Sequence, residues 1–167
     1  MDIKKGNQEF LNILDNNQEL KDKRDDLVKG QHPDTLIITC SDSRVVPEYI
    51  FNAKLGELFV IRTAGNVINE GELATVEYAI EHLEVKHIIV LGHTHCGAIH
   101  AAINDEKGKY LDPILRRIKT NISIITNETM AAKMNSIGEA EYLRSKFPDY
   151  KGTIESMMYD IETSNVF

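Results

Sequence analysis

Three short runs constrain this chain more than anything else in it: Leu36-Ile37-Ile38-Thr39, Leu58-Phe59-Val60-Ile61 and His87-Ile88-Ile89-Val90-Leu91. Each is rich in β-branched residues, almost continuously apolar, and ends in Gly or polar residues. That is the pattern of strands buried on both faces, which occur in parallel sheets covered by helices. Between the second and third runs, Leu73, Val76, Ile80 and Leu83 recur at helical spacing over 71–85, with Glu72, Glu77, Glu81 and Glu84 elsewhere on the same helix. Strand, helix, strand implies a right-handed crossover within a parallel sheet. The spacing therefore predicts an α/β fold: a single domain with a mostly parallel central sheet flanked by helices.

The remainder fits around that unit. Residues 110–126 carry Leu111, Ile114, Leu115, Ile118, Ile122 and Ile125 and read as a helix; 135–147 read as a second, shorter one ended by Pro148. Ser156 to Ile161 reads as a late strand at a sheet edge. Residues 5–30 are polar, with Phe10, Ile13, Leu14, Leu20 and Leu27 loosely at helical intervals. One or two amphipathic helices are expected there, too sparsely apolar for deep burial. Such an arm lies across a surface, this subunit's or a partner's. Gly30 and Pro33 separate it from the sheet, and the whole of 1–167 is expected to form one domain.

Charge narrows the partners. Nineteen basic against 26 acidic residues give a net −7, which argues against nucleic acid or an anionic membrane, since both need a basic face. No run approaches the ~18 apolar residues of a membrane span. The N-terminus lacks the apolar stretch of a signal peptide, so the cytoplasm is the expected compartment. In that compartment Cys40 and Cys96 are expected to be thiols or metal ligands rather than a structural disulfide.

In open α/β sheets, ligands bind beyond the carboxyl ends of the strands. The first run leads directly into Cys40-Ser41-Asp42-Ser43-Arg44, the third into Gly92-His93-Thr94-His95-Cys96-Gly97. Each piece alone has a plain structural reading: a buried cysteine, a stray His-x-x-Cys, a surface Asp and Arg. Their convergence at one end of the sheet points to a metal site. Two thiolates and one imidazole suit Zn²⁺ in tetrahedral coordination, and a structural zinc normally has four protein ligands. Cys40, His93 and Cys96 make three. The fourth position goes to water, substrate or a carboxylate, with Asp42 nearest, and a vacancy of that kind points to catalysis. Iron or cobalt suits the same ligands. A phosphatase of the Cys-x5-Arg type is not supported, because Val46 stands where that arginine belongs and no Gly-rich phosphate loop occurs.

At these residues the sequence resembles the β-class carbonic anhydrases, in particular their compact plant- and archaeal-type members. The likeness rests on Cys40-x-Asp42-Ser43-Arg44 paired with His93-x-x-Cys96-Gly97. Gly56-Glu57-Leu58-Phe59-Val60, Arg62, Ala64-Gly65-Asn66 and the tail Tyr159-Asp160-Ile161-Glu162-Thr163 support it. It is strong over residues 30–102 and looser beyond. The resemblance implies a Zn²⁺ enzyme, a lyase interconverting CO2 and bicarbonate, with zinc on Cys40, His93 and Cys96 and a catalytic dyad of Asp42 and Arg44. Zinc lowers the pKa of its water to about 7, a magnitude that belongs to the three-histidine sites of other carbonic anhydrases. Two thiolates donate more charge than imidazoles, so activity rising toward alkaline pH is expected here.

The resemblance also implies Gln31, nine residues ahead of Cys40, and Gly97 as substrate-binding residues. Some members place the aspartate on zinc. Bicarbonate-regulated ones carry a Trp three residues before the first cysteine, where this chain has Ile37 and no Trp anywhere. An open site is therefore expected. Thr63 departs from the Asn common at its position, and His95 is either a proton relay or a supporting residue. The family pairs subunits with N-terminal helices across the partner, so a homodimer or homotetramer is expected. Two rival functions are a hydrolase of carbonyl sulfide or carbon disulfide on the same scaffold, and a non-catalytic zinc or redox module.

Overall fold

The structure, a computed structural model, describes residues 1–167. The arm is two helices, α1 (Ile3–Asp15) and α2 (Gln18–Leu27). Asp2 and Asn17 start them, each accepting the backbone N–H three residues on. The sheet follows as β1 (Thr35–Cys40), β2 (Leu58–Thr63), β3 (His87–His93) and β4 (Thr153–Tyr159). Between them lie α3 (Pro47–Ile50), a 3₁₀ turn at Ala64–Asn66, α4 (Glu70–Glu81), α5 (Gly97–Ile103), α6 (Asp112–Ile122) and α7 (Glu128–Lys146).

The strands run in the order β2-β1-β3-β4, and every pairing is parallel. β4 is an edge strand, as its sequence suggests, and the tail folds back on it: Met158 and Phe167 exchange backbone hydrogen bonds of 2.8 and 2.9 Å. One sheet face buries Leu36, Ile38, Ile88 and Val90 against Val76 and Ala79 of α4 and Ala140 and Leu143 of α7. A second core joins α5, α6 and α7 through Ile99, Leu115, Ile118, Ile122 and Ala132, and both cysteines sit in it. The opposite sheet face buries only a small cluster, Ile37, Val45, Leu91 and Tyr159.

Two expectations shift. The helix read as 135–147 begins at Glu128, where Asn127 caps it by accepting the Met130 N–H at 2.9 Å, and it is 19 residues long. Its buried face is Ala131, Ala132, Asn135, Ser136, Glu139, Ala140 and Leu143, helical in period but written mostly in small and polar residues. The last strand begins at Thr153, three residues before the apolar stretch that announces it. The arm meets the body through α2, where Lys54 Nζ pairs with Glu19 Oε1 at 2.6 Å. In α1, Leu14 is buried, whereas Ile3, Phe10, Leu11 and Ile13 are exposed.

Candidate metal centre

Register brings the site together. Thr39 of β1 lies opposite Leu91 of β3, so Cys40 and His93 end adjacent strands at the same edge of the sheet. Beyond Cys40, the Ser41 N–H still donates to the Thr63 carbonyl at 2.9 Å, and Asp42 then turns the chain. Its Oδ1 accepts the Arg44 N–H at 3.0 Å, and its carbonyl accepts the Val45 N–H at 3.0 Å. Arg62 clamps this turn from β2, its Nε donating to the Cys40 carbonyl (3.2 Å) and its Nη2 to the Asp42 carbonyl (2.7 Å).

The second loop is equally fixed. The Thr94 N–H donates to the Tyr159 carbonyl at 3.0 Å, and Thr94 Oγ1 accepts the Ile161 N–H at 3.0 Å. His95 takes a left-handed conformation (φ 56°), which folds Cys96 back toward His93. Its exposed ring donates from Nε2 to Glu162 Oε1 at 2.9 Å. Gly97 then opens α5 and is exposed, with open space where a Cβ would be.

The donor atoms of Cys40, His93 and Cys96 all lie within 4.8 Å of one another, and all three residues are buried. His93 Nδ1–H donates to the Thr94 carbonyl at 2.8 Å, which fixes the tautomer and leaves a lone pair on Nε2. That Nε2 is buried with no hydrogen-bond partner, the condition of an imidazole that waits for a metal. Nothing in the structure explains the only other such atom, Asn66 Nδ2. The two sulfurs are 3.9 Å apart. Sulfurs each about 2.3 Å from a tetrahedral centre lie about 3.8 Å apart, so the pair is spaced as metal ligands and is far too open for a disulfide.

Electrostatics agree. The Cys40 thiol is held well below its ordinary value, chiefly by the S–H of Cys96, with help from the Gly65 amide. The same sulfur contact, together with burial, pushes Cys96 up. Two thiolates in such contact cannot coexist without a cation between them, and a metal ion deprotonates a coordinating thiol outright. The donor set fits a transition metal.

Asp42 stands beside this group. Its carboxylate, 15% exposed, takes Arg44 Nε at Oδ1 (2.9 Å) and Arg44 Nη2 at Oδ2 (2.7 Å). The Arg44 hydrogen bonds hold it far below the ordinary carboxylate range. Arg44 Nη2 also donates to the His95 carbonyl at 3.1 Å, tying the two ligand loops together. Of the residues singled out from sequence, five therefore converge, and Gly97 lies beside them as the neighbour of Cys96. Gln31 does not join them within one chain. It is exposed on the loop before β1, beside Leu27, Val28, Tyr78 and Leu83, and β1 itself, at about 3.3 Å per residue, separates it from Cys40. Arg117, Asn121, Asn135 and Glu139 were not singled out, and they reach the site from behind, through Gly65.

A parallel α/β sheet with two cysteines and a histidine converging at its carboxyl edge defines an α/β protein with a candidate three-ligand metal site. Residues 35–166 match the family described as Carbonic anhydrase. A carbonic anhydrase of Synechococcus elongatus is 33% identical over 87% of this chain and 63% of its own length. One from Helicobacter pylori is 32% identical over 90% of this chain and 82% of its own. A tetrameric β-carbonic anhydrase of Sordaria macrospora superposes with a TM-score of 0.83 at 26% identity, covering 99% of this chain and 93% of that one. This chain belongs to the β-class carbonic anhydrases. It spans a little under two thirds of the Synechococcus relative.

Proposed function

We propose that the chain holds Zn²⁺ on Cys40, His93 and Cys96 and catalyses the reversible hydration of CO2 to bicarbonate and a proton. The observation that carries the proposal is a three-donor cluster together with Asp42, two residues beyond Cys40, whose carboxylate is gripped by Arg44 at both oxygens. Bound there, zinc supplies the Lewis acidity that makes water a nucleophile near neutral pH.

This chain's residues do the rest. The Thr94 carbonyl fixes the His93 tautomer, so Nε2 is the donor. Asp42, ionised and therefore acceptor-only, takes the hydrogen bond of the reacting water and so turns the water's own free lone pair toward CO2. Arg44 keeps that carboxylate oriented and ionised, and a planar fork does this where a lysine offers a single point of charge. Arg44 also competes with the metal for Asp42, which favours an open fourth position. Gly97 lets substrate approach the start of α5 closely. The proton released when water adds to CO2 leaves toward solvent, and His95, 55% exposed at its side chain, is one acceptor within the loop.

A dimer or larger assembly belongs to the same proposal. The exposed Ile3, Phe10, Leu11 and Ile13 of α1 are the face laid across a partner, and Gln31 serves substrate only if a second copy carries it to the site. The relative from Sordaria macrospora is described as tetrameric. A reducing compartment such as the cytoplasm keeps Cys40 and Cys96 as metal-competent thiols. Stopped-flow CO2 hydration on protein of measured zinc content tests the proposal.

A further inference from the structure

Behind Cys40 runs a buried polar chain that the chemistry above does not use. Glu139 of α7 is fully buried; it takes Arg117 Nε at Oε1 (2.8 Å), Arg117 Nη2 at Oε2 (3.1 Å) and the Ile68 amide at Oε2 (3.3 Å). Asn121 Nδ2 donates both to Glu139 Oε1 (2.9 Å) and to Asn135 Oδ1 (3.1 Å). With its oxygen engaged, the fully buried Asn135 turns Nδ2 to the Gly65 carbonyl at 2.8 Å. The Gly65 N–H donates to Cys40 Sγ at 3.3 Å.

Packing alone does not account for this arrangement. Apolar residues of similar volume generally hold a core as well as a buried ion pair does. Glycine is required near both ends. Gly65 has φ 65°, and a Cβ there would sit 2.9 Å from Ile118 Cδ1 and 3.1 Å from Ala98 Cβ. Gly138 lies inside α7, where glycine is unfavourable, and a Cβ there would sit 2.6 Å from Asn121 Cγ. The one makes room for the amide that meets sulfur, the other for the side chain that orients Asn135.

We propose that Asn135 is a positioning residue for the ligand Cys40: it holds the Gly65 turn so that the Gly65 amide stays on the sulfur. The inference rests on the zinc reading above. An amide hydrogen bond draws charge from a thiolate and so shortens the wavelength of its charge transfer to the metal; the fixed turn, which keeps the ligand in place before metal arrives, is the larger effect on affinity. Arg117, Glu139 and Asn121 act one step further back, by setting the Asn135 amide.

The full chain is loaded with zinc for competition against a chromophoric chelator, and with cobalt to read the sulfur-to-metal charge-transfer band. Asn135→Leu, similar in size and without the donor, is expected to bind zinc about tenfold more weakly and to move the band to longer wavelength. Gly138→Ala, which displaces Asn121 without touching Asn135 or Gly65, moves both in the same direction and carries the test if Asn135→Leu does not fold. Leu143→Ala, a packing change on α7 in the other core, lowers the melting temperature and leaves both readings alone. Zinc affinity and band unmoved in Asn135→Leu, or moved equally by Leu143→Ala, overturn the inference while the zinc reading stands. Failure of the unaltered chain to take up either metal overturns both.

Discussion

Arg44 grips Asp42, two residues beyond Cys40, at both carboxylate oxygens, Nε to Oδ1 at 2.9 Å and Nη2 to Oδ2 at 2.7 Å. This pair decides where the carboxylate points. Arg44→Ala releases Asp42 toward the metal. Zinc-edge X-ray absorption on the loaded variant is predicted to show an oxygen ligand from Asp42, with CO2 hydration down at least a hundredfold. An unchanged metal environment together with full activity would remove Arg44 from the mechanism.

A second bidentate pair, Arg117 with Glu139, has the same geometry and the opposite energetics. Arg44 is half exposed, whereas Glu139 is fully buried. Arg117→Ala leaves a buried carboxylate without its partner and is predicted to cost about 3 kcal/mol of stability in urea denaturation. Arg44→Ala, on a pair whose arginine is half exposed, costs about 1 kcal/mol or less. Equal losses would contradict the burial argument.

Tyr150 gives a pH dependence with a definite sign. Its hydroxyl donates to the Val85 carbonyl at 2.9 Å, and burial raises its pKa above the ordinary 10.0. A raised folded value means that the contribution is complete below pH 10 and disappears as pH climbs through the folded value. Tyr150→Phe is predicted to lose about 1 kcal/mol at pH 7 and to show a smaller decline in stability above pH 10 than the unaltered chain. Parallel declines in denaturation at pH 7 and pH 11 would assign the alkaline loss to other groups.

Metal and stability are coupled because Cys40 and Cys96 lie inside the core of α5, α6 and α7. Free zinc at a hundred times its dissociation constant is predicted to stabilise the fold by about 2.7 kcal/mol, read as a rise in melting temperature that a chelator reverses. A Cys96→Ala chain should show no such rise. A rise of equal size in that variant would place the metal elsewhere.

The sheet was legible because buried parallel strands announce themselves locally, in runs such as Ile88-Ile89-Val90. The cluster of Cys40, His93 and Cys96 was legible because these residues sit where those strands end. The start of α7 was not, since its buried face carries Ala131, Asn135, Ser136 and Glu139 rather than an apolar stripe. For the same reason the sequence does not mark Asn135: nothing in its neighbours announces a partner 70 residues away at Gly65. The separation of Gln31 from Cys40 is a consequence of strand direction, which becomes visible only once β1 is placed in the sheet.

The most direct measurement is stopped-flow CO2 hydration at pH 7 and pH 9, made on protein of known zinc content and on its Asp42→Asn variant. The proposal predicts zinc-dependent hydration in the unaltered chain, faster at pH 9, and a loss of at least a hundredfold in Asp42→Asn with zinc content unchanged. No hydration at either pH in fully zinc-loaded protein, or full activity in Asp42→Asn, would contradict it.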